Sequence, residues 1–173
     1  MSHSPAADII GEELVNDLAT STTKAQPILA LLTSKELRQV QLHIQSTIRP
    51  TWHGGPPPNF GEKCHGKLKA DQWCSLIEFD LPVSLASLLH QARQTDIDRL
   101  DKVFESTMLL ATAIQWATSH QTSSLHARTY KNYLSRYLEG IRALRSDLDL
   151  HPNHHNALHL TKFFPLFGPM HGW

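Results

Sequence analysis

Apolar residues recur every three to four positions along most of this chain after residue 33, which is the spacing of one face of an α-helix. Four apolar side chains of the segment "TSKELRQVQLHIQSTI" share one stripe, namely Leu37, Val40, Ile44 and Ile48. Thr33 stands three residues before Glu36, a spacing typical of a capping box at a helix N-terminus. The earlier segment "ADIIGEELVNDLAT" predicts a short acidic helix.

The helical spacing resumes at residue 70 and continues to about residue 164. Asp80 is predicted to cap one of these helices, with Pro82 in its first turn, and Asp96 is predicted to cap the next. The residues predicted to form one core are Trp73, Ile77, Leu88, Ile97, Leu100, Phe104, Met108, Tyr130, Tyr133, Leu134, Tyr137, Leu138 and Ile141. No alternating run is long enough for a sheet, so the sequence predicts an all-α bundle of about five to six helices.

The helical pattern breaks between residues 49 and 69. The stretch "RPTWHGGPPPNFGEKCHGK" has four prolines and four glycines, a density that excludes both helix and strand. We therefore expect a long loop over one end of the bundle, anchored by Trp52 or Phe60. We expect a single domain over residues 1–173, with residues 1–8 disordered and the main bundle in residues 70–164.

The composition is that of a globular protein, with 40% hydrophobic and 18% charged residues. The net charge is zero with neutral histidines, which removes the simplest argument for a free-standing nucleic-acid-binding domain. A modest basic excess lies in residues 24–69, which hold seven Lys or Arg and two acidic residues. Both cysteines are interpreted as thiols, and no window resembles a membrane span, so we expect a soluble intracellular protein without a membrane partner.

Two groups of basic residues are candidates for contacts with DNA. The first precedes the helix that opens near residue 70 and consists of Lys63, Lys67 and Lys69. Lysines near a helix N-terminus hold phosphate well, although a solvated loop explains the same residues. The second group is a basic face on a later helix, formed by Arg128, Lys131, Arg142 and Arg145.

The chain has twelve histidines, and His155 and His159 have the spacing with which a helix presents two zinc ligands. The pair lacks the glutamate of an HExxH motif, and solvated helix histidines are the alternative interpretation. Asp71, Glu78 and Asp80 are alternative ligands for magnesium in a nuclease, or else helix caps and solvated positions. No nucleophile motif or nucleotide-binding motif is present, so we predict no catalytic residue and no required cofactor.

Two blocks of the sequence resemble a known family. The "G-KLKADQW" core with the following "LPVSL", and the late "H-ALHL-----LFGP-H-W", are similar to segments of transposase-type proteins of basidiomycete fungi, a group that resembles CACTA-type transposases. The residues that carry the resemblance are Gly66, Lys67, Lys69, Asp71, Trp73, Pro82, His155, His159, Phe167, Gly168 and Pro169.

The resemblance implies a helical region on the C-terminal side of an RNase-H-like catalytic core. No segment before Arg49 resembles the aspartate-bearing strands of such a core, and the chain ends at Trp173 where the family continues. We therefore expect a fragment or remnant of a transposon-encoded protein, an accessory domain without a complete catalytic site. The implied partners are DNA or a separately encoded transposase core, and the implied compartment is the nucleus.

Overall fold

The structure is a computed structural model that describes residues 31–51, 54–62, 68–147 and 152–168. These residues form six α-helical segments and no strand, in the order α1 Ser34–Ser46, α2 Ala70–Ser75, α3 Leu81–Gln91, α4 Gln94–Ala117, α5 Ser124–Leu144 and α6 Pro152–Phe167. A π-helical turn, Leu76–Asp80, joins α2 to α3, so residues 70–91 form one continuous helical stretch. The predicted all-α fold is confirmed. The predictions for residues 1–18 and Trp52 lie outside the described residues.

Helix α1 begins with the predicted capping box. The Thr33 backbone N–H donates to Glu36 Oε2 at 2.8 Å, and the Glu36 backbone N–H donates to Thr33 Oγ1 at 3.3 Å. Val40 and Ile44 are buried, as the stripe predicts, but the helix ends at Ser46 and leaves Ile48 98% exposed. The inclusion of Ile48 in this stripe was therefore wrong, because the backbone is no longer helical at that position.

The loop that follows α1 packs onto the bundle through Phe60, which is fully buried. Gln41, buried on α1, donates from its side-chain amide to the Phe60 carbonyl oxygen at 2.9 Å. Arg49 forms an ion pair with Asp80, with Arg49 Nη1 3.1 Å from Asp80 Oδ2 and a second, shorter contact from Nη2. Phe60 is thus an anchor of the loop, as predicted, and the Arg49–Asp80 ion pair is an additional one.

The helical stretch of residues 70–91 contains the π-helical turn at the position where the sequence predicts the start of a new helix. The Leu81 backbone N–H bonds to the Leu76 carbonyl, five residues back, and Pro82 follows in the first turn of α3. A proline inside a regular helix clashes with the carbonyl four residues before it, and a π-turn can relieve such crowding. The assignment of Asp80 as an N-cap was wrong: its backbone is helical, it makes no cap hydrogen bond, and its carboxylate faces Arg49.

Helices α4 and α5 make the most extensive contact of the bundle. Tyr130, Leu134, Tyr137, Leu138 and Ile141 line the buried side of α5, as predicted. Gly140 allows the close approach of α4, since a Cβ at this position would lie 2.9 Å from Ser106 Oγ.

Four predictions on α4 need correction, and the first is Ile97, which is only partly buried and lies outside the core cluster. Met108 is 41% exposed and lies outside the core, while Phe104 is only partly buried. Asp96 lies in the first turn of α4, not at its cap, because the helix begins at Gln94 after Arg93. The apolar spacing on α4 therefore identified the buried side of the helix but also included residues beside it that are not fully buried.

Helix α6 packs against α5 through two contacts of Tyr130. The Tyr130 hydroxyl donates to the Ala157 carbonyl oxygen at 2.9 Å, and its ring meets buried Phe164 edge to face at a centroid distance of 5.3 Å. Burial raises the pKa of Tyr130 to about 12, so the phenol stays protonated and remains a donor. The helix continues through Pro165 and ends before Gly168, whose φ of 76° is the left-handed conformation that glycine adopts most easily.

Candidate functional site

The first basic group falls mostly outside the described residues, which exclude Lys63, Gly66 and Lys67. Lys69 is described and exposed, and it occupies the N-cap position of α2. Its backbone N–H donates to Gln72 Oε1 at 3.0 Å, so a side chain of the helix already satisfies that donor. The described residues therefore place one exposed cation, Lys69, at this helix end. The joint role of the three lysines stays a prediction.

The second basic group lies on α5 and divides into two parts. Arg128, Lys131 and Arg142 are exposed, and none of them forms an ion pair with another described residue. Arg145 follows the end of α5 and binds both carboxylate oxygens of Asp147 at 2.6 Å. The hydrogen bond from Arg145 lowers the pKa of Asp147, and Asp147 raises the pKa of Arg145. Three of the four predicted cations are thus available to an anion.

Arg142 and His155, which belonged to separate hypotheses, line the same groove between α5 and α6. The groove has a volume of about 380 Å³. Its lining residues are Ser135, Leu138, Glu139, Arg142, Pro152, His154, His155 and Leu158. Tyr130 of α5 contacts Ala157 and Phe164 and so holds α6 against α5. The groove lies between the last turns of α5 and the first turns of α6.

His155 and His159 are in direct contact at the surface of α6. Their Nε2 atoms lie 3.0 Å apart, and their rings meet at an interplanar angle of 80° with centroids 4.7 Å apart. His155 is exposed and His159 is partly exposed. The predicted four-residue spacing therefore brings the two imidazoles together, with one nitrogen donating to the other.

Asp71, Cys74 and Glu78 follow one another at helical spacing along α2 and the π-turn. Burial raises the pKa of the Cys74 thiol, and the carboxylates of Glu78 and Asp71 raise it further. Burial also raises the pKa of Glu78. A thiol with a raised pKa is a poor nucleophile and a poor metal ligand, because both roles require the thiolate.

The other predicted ligands and family residues are dispersed. Within the described ranges, no three side chains of His, Cys, Asp or Glu are placed to hold a metal ion together. Asp80 is paired with Arg49, Trp73 packs against the core, and Pro82 serves the helix turn. Phe167 is 63% exposed at the end of α6, followed by Gly168, while Pro169 lies outside the described residues.

Sequence reasoning missed the groove and the ion pair beneath the loop. His154 and His155 of α6 come to the same groove as Arg142 of α5 only because the two helices pack together, and Arg49 meets Asp80 across 31 positions of sequence. No local spacing signals contacts of this kind. The glycines and prolines around residue 55 were the one sequence signal near the ion pair. Gly55 packs closely on Arg49, because a Cβ at this position would lie 2.8 Å from its guanidinium.

Comparison of the chain with protein-family models, with curated proteins and with solved structures gave no match. Among the helices of the described residues, none is both long enough and apolar enough to span a bilayer.

Proposed function

We propose that this chain is a helical accessory module of a transposon-encoded protein, which binds DNA and carries no complete catalytic site of its own. The observation that supports binding is the set of three exposed cations on α5, Arg128, Lys131 and Arg142, which form no ion pair with a described acidic side chain. The transposon origin rests on the resemblance of the two sequence blocks, and a nuclear location follows from the same resemblance.

The spacing of the three cations suits an extended anionic backbone better than a single anion. Arg128 and Arg142 are 14 positions apart on one helix, which corresponds to roughly 21 Å at the rise of an α-helix. Duplex DNA carries one charge for about every 1.7 Å of its axis, so it presents phosphates over this whole length. With zero net charge on the chain, binding depends on this local surface.

A salt titration of DNA binding tests the proposal. Three phosphate contacts predict a slope of log affinity against log salt of about −2.7, or roughly a 40-fold loss between 50 and 200 mM salt. The variant R128Q/K131Q/R142Q should lose this salt-dependent binding in a fluorescence anisotropy assay with a short DNA duplex. The matched control K35Q/R93Q/K102Q removes the same number of exposed charges elsewhere on the bundle and should bind like the original chain. Equal affinities for the two variants would contradict the assignment of the surface.

A separately encoded transposase core is the second candidate partner. The end of α6 favours a protein partner, because Phe163, Leu166 and Phe167 are 39%, 73% and 63% exposed on one short helix end. Large apolar side chains grouped at a surface are typical of protein contacts. The variant L166S/F167S should weaken binding to such a core without changing the anisotropy response to DNA, which separates the two partners.

A further inference from the structure

We propose that His155 and His159 form a two-imidazole chelate for a divalent first-row transition-metal ion, with no third protein ligand among the described residues. This inference is independent of DNA binding. It rests on the contact of the two Nε2 atoms at 3.0 Å on the surface of α6. Neutral imidazole suits zinc, copper and nickel ions, and Cu²⁺ should bind more tightly than Zn²⁺ in the usual order of affinities.

The nitrogen separation fits chelation. An ion bound to two imidazole nitrogens at about 2.05 Å holds them roughly 2.9 Å apart at a square-planar angle and roughly 3.3 Å apart at a tetrahedral angle. The observed separation of 3.0 Å lies between these two values. The two rings need only pivot about their side-chain torsions to direct both lone pairs at one ion, and the backbone of α6 stays in place.

The packing of α6 holds the pair in position before any ion arrives. Ala157, between the two histidines, accepts the hydrogen bond of Tyr130, and Phe164 is buried about two turns further along. His155 is exposed at the groove between α5 and α6 and His159 is partly exposed, so an ion has access to the pair. A preformed pair avoids the ordering cost that two separate histidines would carry, so its affinity should exceed that of a single surface histidine.

The number of ligands in the described part of the chain distinguishes this site from a structural zinc site. The described residues place no third His, Cys, Asp or Glu with the pair, whereas structural zinc sites use four protein ligands. Water fills the other positions of the bound ion, and a donor from another molecule can replace it. The charged residue of α6 is Lys162, and from the neighbouring helix α5 Glu139 and Arg142 line the same groove as His155.

The test is calorimetric titration of the tag-free, chelator-treated full chain with Zn²⁺ and with Cu²⁺. Twelve histidines give a background of weak sites, so the variants must distinguish the pair from histidine in general. H155N and H159N each remove one ligand. H155N/N153H keeps the number of histidines but breaks the four-residue spacing, and H90N removes an exposed histidine of α3 with no histidine one turn away.

We expect one equivalent of ion per chain, with affinity reduced by about 100-fold in H155N, H159N and H155N/N153H, and unchanged in H90N. Circular dichroism of each variant checks that α6 remains folded. The proposal is overturned if the original chain binds no more tightly than H155N, if H155N/N153H binds like the original chain, or if H90N loses as much as H155N.

Discussion

Breaking the ion pair between Arg49 and Asp80 should be among the most damaging single changes in this protein. The Asp80 side chain is 1% exposed and the Arg49 side chain 13% exposed, so both charges have left water almost completely. Arg49→Met keeps a side chain of similar length but leaves the Asp80 carboxylate buried without its partner. Removal of one member of a buried ion pair costs about 3–5 kcal/mol, because the remaining charge is uncompensated.

A loss of this size is a large fraction of the 5–15 kcal/mol that usually separates a folded domain from its unfolded state. Urea denaturation followed by circular dichroism should show the loss as a lower midpoint at an unchanged slope. Arg145→Met is the matched control, because Arg145 also contacts both carboxylate oxygens of an aspartate, but in a pair exposed to solvent. We expect no measurable change in stability from that substitution, since water already screens the pair.

The double variant R49M/D80L separates the penalty of a buried lone charge from the value of the pair itself. When both charges become apolar, no unpaired group remains, so the double variant should be more stable than R49M by at least about 2 kcal/mol. The reasoning is refuted if R49M lies within about 1 kcal/mol of the original chain, or if R49M and R145M are equally destabilised.

Three further predictions follow from the helices. Leu134→Ala should cost about 2–5 kcal/mol in urea denaturation, since Leu134 is 4% exposed in the core; a loss below about 1 kcal/mol would contradict its core position. Burial raises the pKa of Glu36, but hydrogen bonds from Thr33 and Arg99 outweigh it and hold the pKa below 4.5. The stability that Glu36→Gln removes should therefore be present at neutral pH and lost as pH falls below 4.5, when the two proteins are compared in parallel acid titrations. A stability difference between them that stays constant with pH would contradict the assignment. Gly140→Ala should stabilise the chain by about 0.5–1 kcal/mol only in a Ser106→Ala background, because Ser106 Oγ occupies the space that the new Cβ needs; an equal gain in both backgrounds would show that the contact is harmless.

The helices were predictable because their signals are local. The capping box needs only Thr33 and Glu36, and the stripe on α5 needs only a repeat of three to four residues. Phe60 was predictable as an anchor because a large aromatic side chain in a proline-rich loop is more stable when it is packed. All of these inferences depend on residues fewer than about ten positions apart in sequence.

The errors at Ile48 and Asp96 were misplaced helix ends, whereas those at Asp80 and Met108 arose where distant parts of the chain meet. Asp80 has the residue type of a helix cap, but an arginine 31 positions earlier reaches it, and this contact outweighs the local preference. Met108 has the spacing of a buried residue, yet no helix of the described residues covers that side of α4 fully. The candidate site also has a local and a distant part. The His155–His159 contact could be predicted from their four-residue spacing, whereas the groove lined by His155 and Arg142 depends on the packing of α6 against α5.

The π-turn at Leu76–Asp80 explains how the helical stretch of residues 70–91 presents one side to the core. Trp73, Ile77, Leu81 and Leu85 all contact the core and are spaced four residues apart. In a regular α-helix, each step of four residues exceeds a full turn by about 40°, so three such steps would rotate the last side chain about 120° from the first. A turn that closes over five residues absorbs part of this excess. The wider turn therefore acts as a phase correction, which keeps a repeat of four residues closer to one side of the helix than a regular α-helix would.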